Sequence, residues 1–268
     1  MSRISQFAAL AASVAATQCA LASVCTGPEQ IYFSSRKPGE IIKSQYASSP
    51  YQVTISAINY VPSHPSLAVI FDSNKYQTYD PDLLYPWTKG NLVGKKLNEL
   101  LVVANNKIDA NGDGLIDNPN DEGGTPPAGE LSFKFKNSIK TFGIDIVDMG
   151  DYPDEINKSY ISFKKGTTVK KLYFSEFTNP ASVFFDPTIV WGDHSANRIR
   201  WITSTKLGIA NFTEVRVHLH DSAAIDNVAF CTGLPPEIPE PATLSLLATS
   251  AFLSGRRRRS PNHGDSHH

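Results

Sequence analysis

From Asp109 to Asp117 the chain reads Asp-Ala-Asn-Gly-Asp-Gly-Leu-Ile-Asp, with oxygen-bearing side chains at every second residue through Asp109, Asn111 and Asp113 and again at Asp117. Gly114 is free to take a positive φ, and the aliphatic step after it offers a backbone carbonyl. A hard cation takes six to eight oxygens at about 2.3–2.6 Å, and alternating Asp/Asn on a wrapping loop presents them with little strain. The chemistry that fits this spacing is calcium ligation. The competing reading is an Asx-rich turn whose side chains bond their own backbone and face water.

The same segment resembles the calcium loops of EF-hand, dockerin and thrombospondin type 3 repeats. That resemblance implies Asp109, Asn111, Asp113 and the carbonyl of Leu115 as ligands, with Asp117 binding directly or through water. At the twelfth position, where an EF-hand has a bidentate Glu, this chain has Asn120, followed by Asp121 and Glu122. The thrombospondin-like spacing makes Asp121 the expected closing ligand. Pro119 and the run from Gly123 to Pro127 forbid a downstream helix. The expectation is a lone structural clip over residues 109–122, with calcium as the cofactor, and no sensor.

Other residue types invite chemistry less specifically. Asp193-His194-Ser195 contains the members of a hydrolytic triad, but neighbours in sequence do not normally aim at one another in that geometry, and no Gly-x-Ser-x-Gly elbow exists. Phosphate-loop, HExxH and dinucleotide fingerprints are missing as well. A glycosidase pair needs two acids about 5–9.5 Å apart, and the sequence selects none. His218 and His220 share one face of a strand, either as metal ligands or as part of an exposed sheet face. Trp87 and Trp191 lie near Pro and Gly in loops and are either candidate platforms for sugar rings or residues that pack loop to sheet, whereas Trp201 alternates with Ile199 and is expected in the core. A non-catalytic protein is expected; a secreted hydrolase acting on polysaccharide is the alternative.

The chain ends carry a different kind of signal. Pro239-Glu240-Pro241 is followed by an apolar stretch from Ala242 to Gly255 and then Arg256, Arg257, Arg258 and Arg259. The apolar stretch is short of the roughly 20 residues a spanning helix wants. The arginines resist translocation and stay cytoplasmic, which leaves everything before Pro239 outside the inner membrane. At the other end, Arg3, the apolar run from Phe7 to Ala16 and Ala20-Leu21-Ala22 read as a cleavable signal peptide over 1–22. The C-terminal order of parts resembles the PEP-CTERM sorting signal of Gram-negative bacteria. That resemblance implies processing by an exosortase at the triplet, transient residence in the inner membrane as a transmembrane helix, and a final place on the cell surface or in the extracellular matrix, with exopolysaccharide as a partner. A plain tail-anchored periplasmic protein is the alternative.

The full chain has 25 Lys+Arg against 26 Asp+Glu, so losing the arginine cluster leaves a mildly acidic protein, which argues against nucleic acid as a partner. Roughly 210 residues remain between the signals, enough for one sizeable core. Cys25 and Cys231 fall at the two ends of this stretch. In an oxidising compartment they are best read as one disulfide, with two free thiols as the alternative.

Period-two alternation dominates, as in Leu131–Lys136, Phe142–Ile146 and Val215–His220. Further strands are expected at Tyr51–Ile58, Leu67–Phe71, Tyr160–Phe163, Lys170–Phe174, Ser182–Phe185, Arg198–Ile202 and Ile225–Phe230. Leu92–Asn106 looks partly helical, with Lys95 and Glu99 spaced as an i,i+4 pair. The expected fold is a mostly β, antiparallel, jelly-roll-like sandwich over 23–234, followed by the sorting signal at 235–260 and a disordered tail at 261–268. Asp226 in the closing strand resembles the calcium-holding Asp of jelly-roll domains in PEP-CTERM proteins and carbohydrate-binding modules, which implies a second site shared with Asp72; the preferred reading is that Asp226 faces a loop or caps backbone amides.

Overall fold

The computed structural model describes residues 25, 27–75, 78, 80–123, 126–150 and 154–233. The expected signal peptide, sorting motif, arginine cluster and tail lie outside these residues. The chain divides into Met1–Leu234 and Pro235–His268, and every described residue belongs to the first unit. No helix among the described residues is long and apolar enough to cross a membrane.

Two antiparallel sheets form the unit. One contains β1 (Glu29–Ile31), β3 (Ala68–Asp72), β4 (Glu99–Val103), β6 (Thr141–Val147), β9 (Ala196–Thr203) and β11 (Ala224–Cys231), in the order β3-β4-β11-β6-β9 with β1 also paired to β11. The other contains β2 (Val53–Asn59), β5 (Gly129–Ile139), β7 (Tyr160–Lys165), β8 (Thr168–Tyr173) and β10 (Phe212–Leu219), in the order β2-β5-β10-β7-β8. Among the described residues, helical structure is confined to single turns such as Glu155–Lys158 and Ser204–Leu207.

Alternation explains which face each strand buries. Ala57, Leu131, Val217, Ile161 and Leu172 stand in register across the five-stranded sheet and all are buried. Ile70, Leu101, Ile225 and Ile146 make the corresponding row on the facing sheet. Phenylalanines close the gap between the layers: Phe142 lies 6.2 Å from Phe133 and 6.1 Å from Phe163, and Phe135 lies 4.9 Å from Phe230, ring centre to ring centre. Tilted and edge-on pairs of this kind add to the area term that drives the sheets together.

The six-stranded sheet is also covered on its outer face. Val69, Phe71, Leu100, Val102, Val147, Ala196 and Ala224 form a second buried cluster with Leu83, Trp87, Leu92, Leu97 and Ile116, which come from the long connections on either side of β4. This cover corrects the partly helical expectation for Leu92–Asn106. Leu100–Val103 are buried on both faces as a strand between β3 and β11, while Asn98 takes φ 64° and breaks any helical continuation from Lys95. An apolar run buried on both sides has no period to read, so helix and strand look alike. Ser182–Phe185 is likewise no strand. Asn179 Oδ1 accepts from Ala181 N at 3.0 Å and Ser182 Oγ from Phe184 N at 3.1 Å, and these side-chain bonds shape a chain of turns.

Candidate functional site

The segment Asp109–Asp117 is an exposed, tightly wrapped loop. Asp109 Oδ1 accepts from Gly112 N at 2.8 Å and Asp113 N at 3.1 Å, and its Oδ2 accepts from Gly114 N at 2.9 Å. Asn111 Oδ1 accepts from Asp113 N, Asp113 Oδ1 from Leu115 N, and Asp117 Oδ2 from Ala110 N. Gly112 and Gly114 take φ 72° and 82°, which lets the backbone turn its amides inward. Ile116 anchors the loop by entering the outer cluster and donating its amide to Gly39 O at 2.9 Å. Asp109, Asn111, Asp113 and Asp117 therefore have their oxygens bonded to the loop's own amides, and the carboxylates of Asp109, Asp113 and Asp117 do not gather within 4.8 Å of one another.

Asp121 does not close this loop. It pairs with Ala104 through a backbone bridge, is 5 % exposed, accepts from Ser222 Oγ at 2.6 Å and lies within hydrogen-bonding reach of the Asp80 carboxyl. Glu122 is also committed elsewhere, accepting from Asn59 Nδ2 at 2.7 Å and meeting His64 Nδ1. The backbone pairing around Ala104 and Asn105 carries residues 120–122 into the sandwich and away from the exposed turn.

Of the two expected tryptophan platforms, Trp87 is buried and Trp191 is half-buried. Trp87 is 2 % exposed in the outer cluster, donating Nε1–H to Lys95 O, and Trp191 is half-buried edge-on against Phe174, donating Nε1–H to Phe174 O. Trp201, expected in the core, is half-buried on the outer face near a bulge between β6 and β9. His218 is half-buried within an aromatic group. Its ring stacks on Tyr160 at 4.5 Å and 12°, next to Tyr60, and burial together with Lys171 and His220 lowers its pKa to about 4. Asp72 is separated from Asp226 by β4 and accepts from Asn74 N, so the two do not share a site. In Asp193-His194-Ser195 the first two side chains do meet, Nδ1 to Oδ1 at 2.7 Å, contrary to expectation. Ser195 is fully buried and directs its hydroxyl at Met149 O, so no nucleophile faces the histidine. Asp82 joins Asp193 and His194 as a group of three possible ligands within 4.8 Å.

Cys25 and Cys231 are joined by a disulfide, with Cα atoms 5.9 Å apart. It fastens the residues before β1 to the end of β11, beside the three-residue pairing of Glu29–Ile31 with Val228–Phe230.

A concavity lies where the outer cover stops. Along the outer face of β11, β6 and β9, the row Ala224, Val147, Ala196 is buried under the cover, and the next outward row is Asp226, Asp145, Arg198. Beyond it come Ala229 and Gly143, which keep the floor low. A cleft of about 600 Å³ opens here between the cover and the residues after β1, with Tyr32, Asn91, Lys95, Asn98, Arg200 and Asp226 among its walls. A neighbouring hollow of about 300 Å³ runs past Arg198 to Trp201 and Gln30.

Polar bonds hold this floor rigid. Arg198 donates Nε–H and Nη2–H to the two oxygens of Asp145, each at 2.8 Å, and Asn227 Nδ2 donates to Asp145 Oδ2 at 2.6 Å and to Asp226 Oδ2 at 3.0 Å. Asn227 takes φ 49° at the bulge in β11, which aims it and Asp226 to the same side. Asn91 ties the cover to β9 by accepting from Arg198 N at 2.6 Å and donating to Arg198 O at 3.1 Å. The close approach is possible because residue 90 is glycine at φ 91°; a Cβ there would lie 2.2 Å from Ala196 O. Burial pushes the Asp226 carboxyl up to about 8 and also raises Asp145, where the bidentate guanidinium of Arg198 opposes the shift. At neutral pH Asp226 is thus mostly uncharged, Arg198 is balanced by Asp145, and Lys95, Lys96 and Arg200 leave the cleft net positive.

Sequence reasoning found Asp226 and missed the rest of the cleft, since Arg198 and Arg200 read only as the polar positions of an alternating strand. Family models, curated proteins and solved structures return no match to the chain.

Proposed function

We propose that the chain is an exported, exosortase-sorted surface or matrix protein whose sandwich binds polysaccharide without cleaving it. The observation that carries the binding reading is the cationic cleft on the outer face of β6, β9 and β11. Its floor is pre-set by Asp145, Arg198 and Asn227, and its walls offer amides, ammonium groups, a guanidinium and the half-exposed ring of Tyr32. Preorganised polar groups beside an aromatic ring suit hydroxyl-rich ligands, and the net positive rim favours sugars bearing carboxylates. The strand orders β4-β11-β6-β9 and β5-β10-β7-β8 agree with a jelly-roll reading of the sandwich. The Asp109–Asp117 loop is read as a calcium clip that stiffens the outer cover through Ile116.

Binding is measured by electrophoresis of the purified protein through gels containing an acidic exopolysaccharide. Retardation is expected, weakened about tenfold by Arg200→Ala or Tyr32→Ala, each worth on the order of 1.4 kcal/mol. Equal migration with and without the polysaccharide would overturn the reading. The inward pairing of Asp145 and the 2 % exposure of Asp226 favour binding over hydrolysis. A hydrolytic role would instead release reducing ends and lose that activity in Asp226→Asn.

Sorting is measured by fractionation of cells that contain an exosortase. The processed chain should leave the membrane fraction for the surface or medium, and alanines at Pro239, Glu240 and Pro241 should leave it intact in the membrane. Intact chain in the membrane for both versions would indicate a tail anchor. Recovery in the soluble cytoplasm would refute export.

A further inference from the structure

The two sheets carry opposite charge. The six strands of the larger one hold five carboxylates to two arginines, whereas the five strands of the smaller one hold seven lysines and arginines to two glutamates. Leu131, Val217, Ile161 and Leu172 turn inward, so the alternate residues Lys134, Lys136, Lys164, Lys171 and Arg216 stand on the outer face of the smaller sheet with Glu130 and Glu214. Both glutamates are already used. Arg216 reaches Glu130 Oε1 at 3.1 Å and Glu214 Oε1 at 2.6 Å, and Lys164 Nζ lies 3.6 Å from Glu214 Oε2. Lys134, Lys136 and Lys171 are exposed and form no ion pair among the described residues. Lysine on an edge strand blunts unwanted pairing, but β5 lies between β2 and β10, so Lys134 and Lys136 have no edge to protect. Along one border of this field Tyr60, His218, Tyr160 and Tyr173 form a row of rings across the strands, with centres 5.4, 4.5 and 5.5 Å apart, and Lys171 Nζ stands 4.1 Å from the centre of the Tyr160 ring.

We propose that this outer face is a second polysaccharide-binding surface, taking a chain of carboxylate-bearing sugars across the strands, so that one sandwich bridges two polymer chains. The inference rests on the polysaccharide reading of the cleft and adds a surface to it. The cleft lies on the outer face of the six-stranded sheet, so the two surfaces look away from each other with the core between them. Charge selects the partner: free ammonium groups on a face whose own carboxylates are already paired attract a polyanion at a distance and pair with it on contact. Shape agrees, since five strands about 4.8 Å apart make an extended field about 19 Å across, which suits a long polymer better than a small molecule. Nucleic acid fits less well. Base stacking needs open ring faces, and the Tyr160 ring is already in contact with His218 and Lys171. A bilayer takes up a continuous apolar face, but the exposed aliphatic side chains here, Ile58 and Val169, stand on opposite edge strands.

The test is calorimetric titration of the purified full chain with a short oligouronate cut from alginate, followed by turbidity with whole alginate. The wild type should take up two oligomers per chain and cross-link the polymer. Lys134→Gln, Lys136→Gln and Lys171→Gln combined should remove one of the two, abolish the turbidity and leave the melting temperature unchanged, because all three side chains are exposed. Arginine at the same three positions should restore both. Arg200→Ala should weaken the other event about tenfold, and in gels, where both surfaces engage one matrix, either loss weakens retardation. Two oligomers still bound by the triple glutamine variant, or a single wild-type event that Arg200→Ala weakens, would overturn the inference and leave the cleft reading standing. A single event lost only in the triple variant would uphold the sheet face and overturn the cleft. No binding of alginate by the wild type would overturn both, and sedimentation with phosphatidylglycerol vesicles that the triple variant loses would then assign the face to a membrane surface.

Discussion

Replacing Cys25 and Cys231 together by serine is expected to lower the unfolding free energy by about 5 kcal/mol in the loop-entropy estimate, and by no less than about 2 kcal/mol. The two half-cystines are 206 residues apart, so the bond removes conformational freedom from nearly the whole unfolded chain. The native side of the balance points the same way. β1 contributes only three residues of pairing to β11 and has no second neighbour in its sheet, so without the covalent tie its end frays first. For a domain of this size the loss corresponds to a fall of roughly 10–20 °C in melting temperature. Thermal melts of the wild type with and without reductant, beside the double serine variant, measure it. Reduced wild type and the variant should coincide. A melting temperature unmoved after mass spectrometry has shown complete reduction would refute the stabilising role.

How much of this architecture was legible depends on whether a strand has one buried face or two. β10 alternates from Val215 to Leu219 and β5 from Phe133 to Lys136, and Leu131–Lys136 and Val215–His220 announced them through period-two alternation. β4 is buried on both faces beneath the outer cover, so Leu100–Val103 displayed no period and passed for part of a helix. β1 is too short to carry any pattern. Trp87 was misread for a related reason: proline and glycine around it signalled a loop, correctly, but nothing local revealed that this loop lies down on the sheet and buries its ring.

The sites divide along the same line. The loop at Asp109–Asp117 is written in nine consecutive residues, so its wrap was visible in the spacing. Asp121 follows it closely in sequence, yet its position is set by a bridge to Ala104 and by Ser222, contacts that span up to 101 residues. The cleft is further still from local signals. It exists because the cover ends part-way along β11, β6 and β9, and because a bulge turns Asp226 and Asn227 to the same side. Only Asp226 betrayed it, as a charge in an otherwise apolar strand.

That charge has a thermodynamic signature with a definite sign. Asp226 has a folded-state pKa of about 8, with burial as the largest cause and Asp145 adding to it. An unfolded aspartate titrates near 3.9, so between roughly pH 4 and pH 8 the folded chain keeps a proton that the unfolded chain releases. The contribution of Asp226 is therefore fully present below pH 4 and is lost as pH rises through 8, at about 1.4 kcal/mol per pH unit. His218 works in the opposite sense. Its pKa is lowered to about 4, so the folded chain resists protonation and stability falls as pH drops from 6.5 toward 4. The raw pH profile mixes both groups, but Asp226→Asn removes one and leaves the other. Asparagine keeps an acceptor for Phe33 N, which donates to Asp226 Oδ1 at 3.3 Å, and it carries no charge at any pH. Denaturant unfolding of both proteins at pH 5 and pH 8 should show the variant gaining on the wild type by roughly 3–4 kcal/mol across that interval. Parallel profiles would mean that the carboxyl ionises at an ordinary pH, and the positive charge of the cleft would be smaller by one at neutral pH.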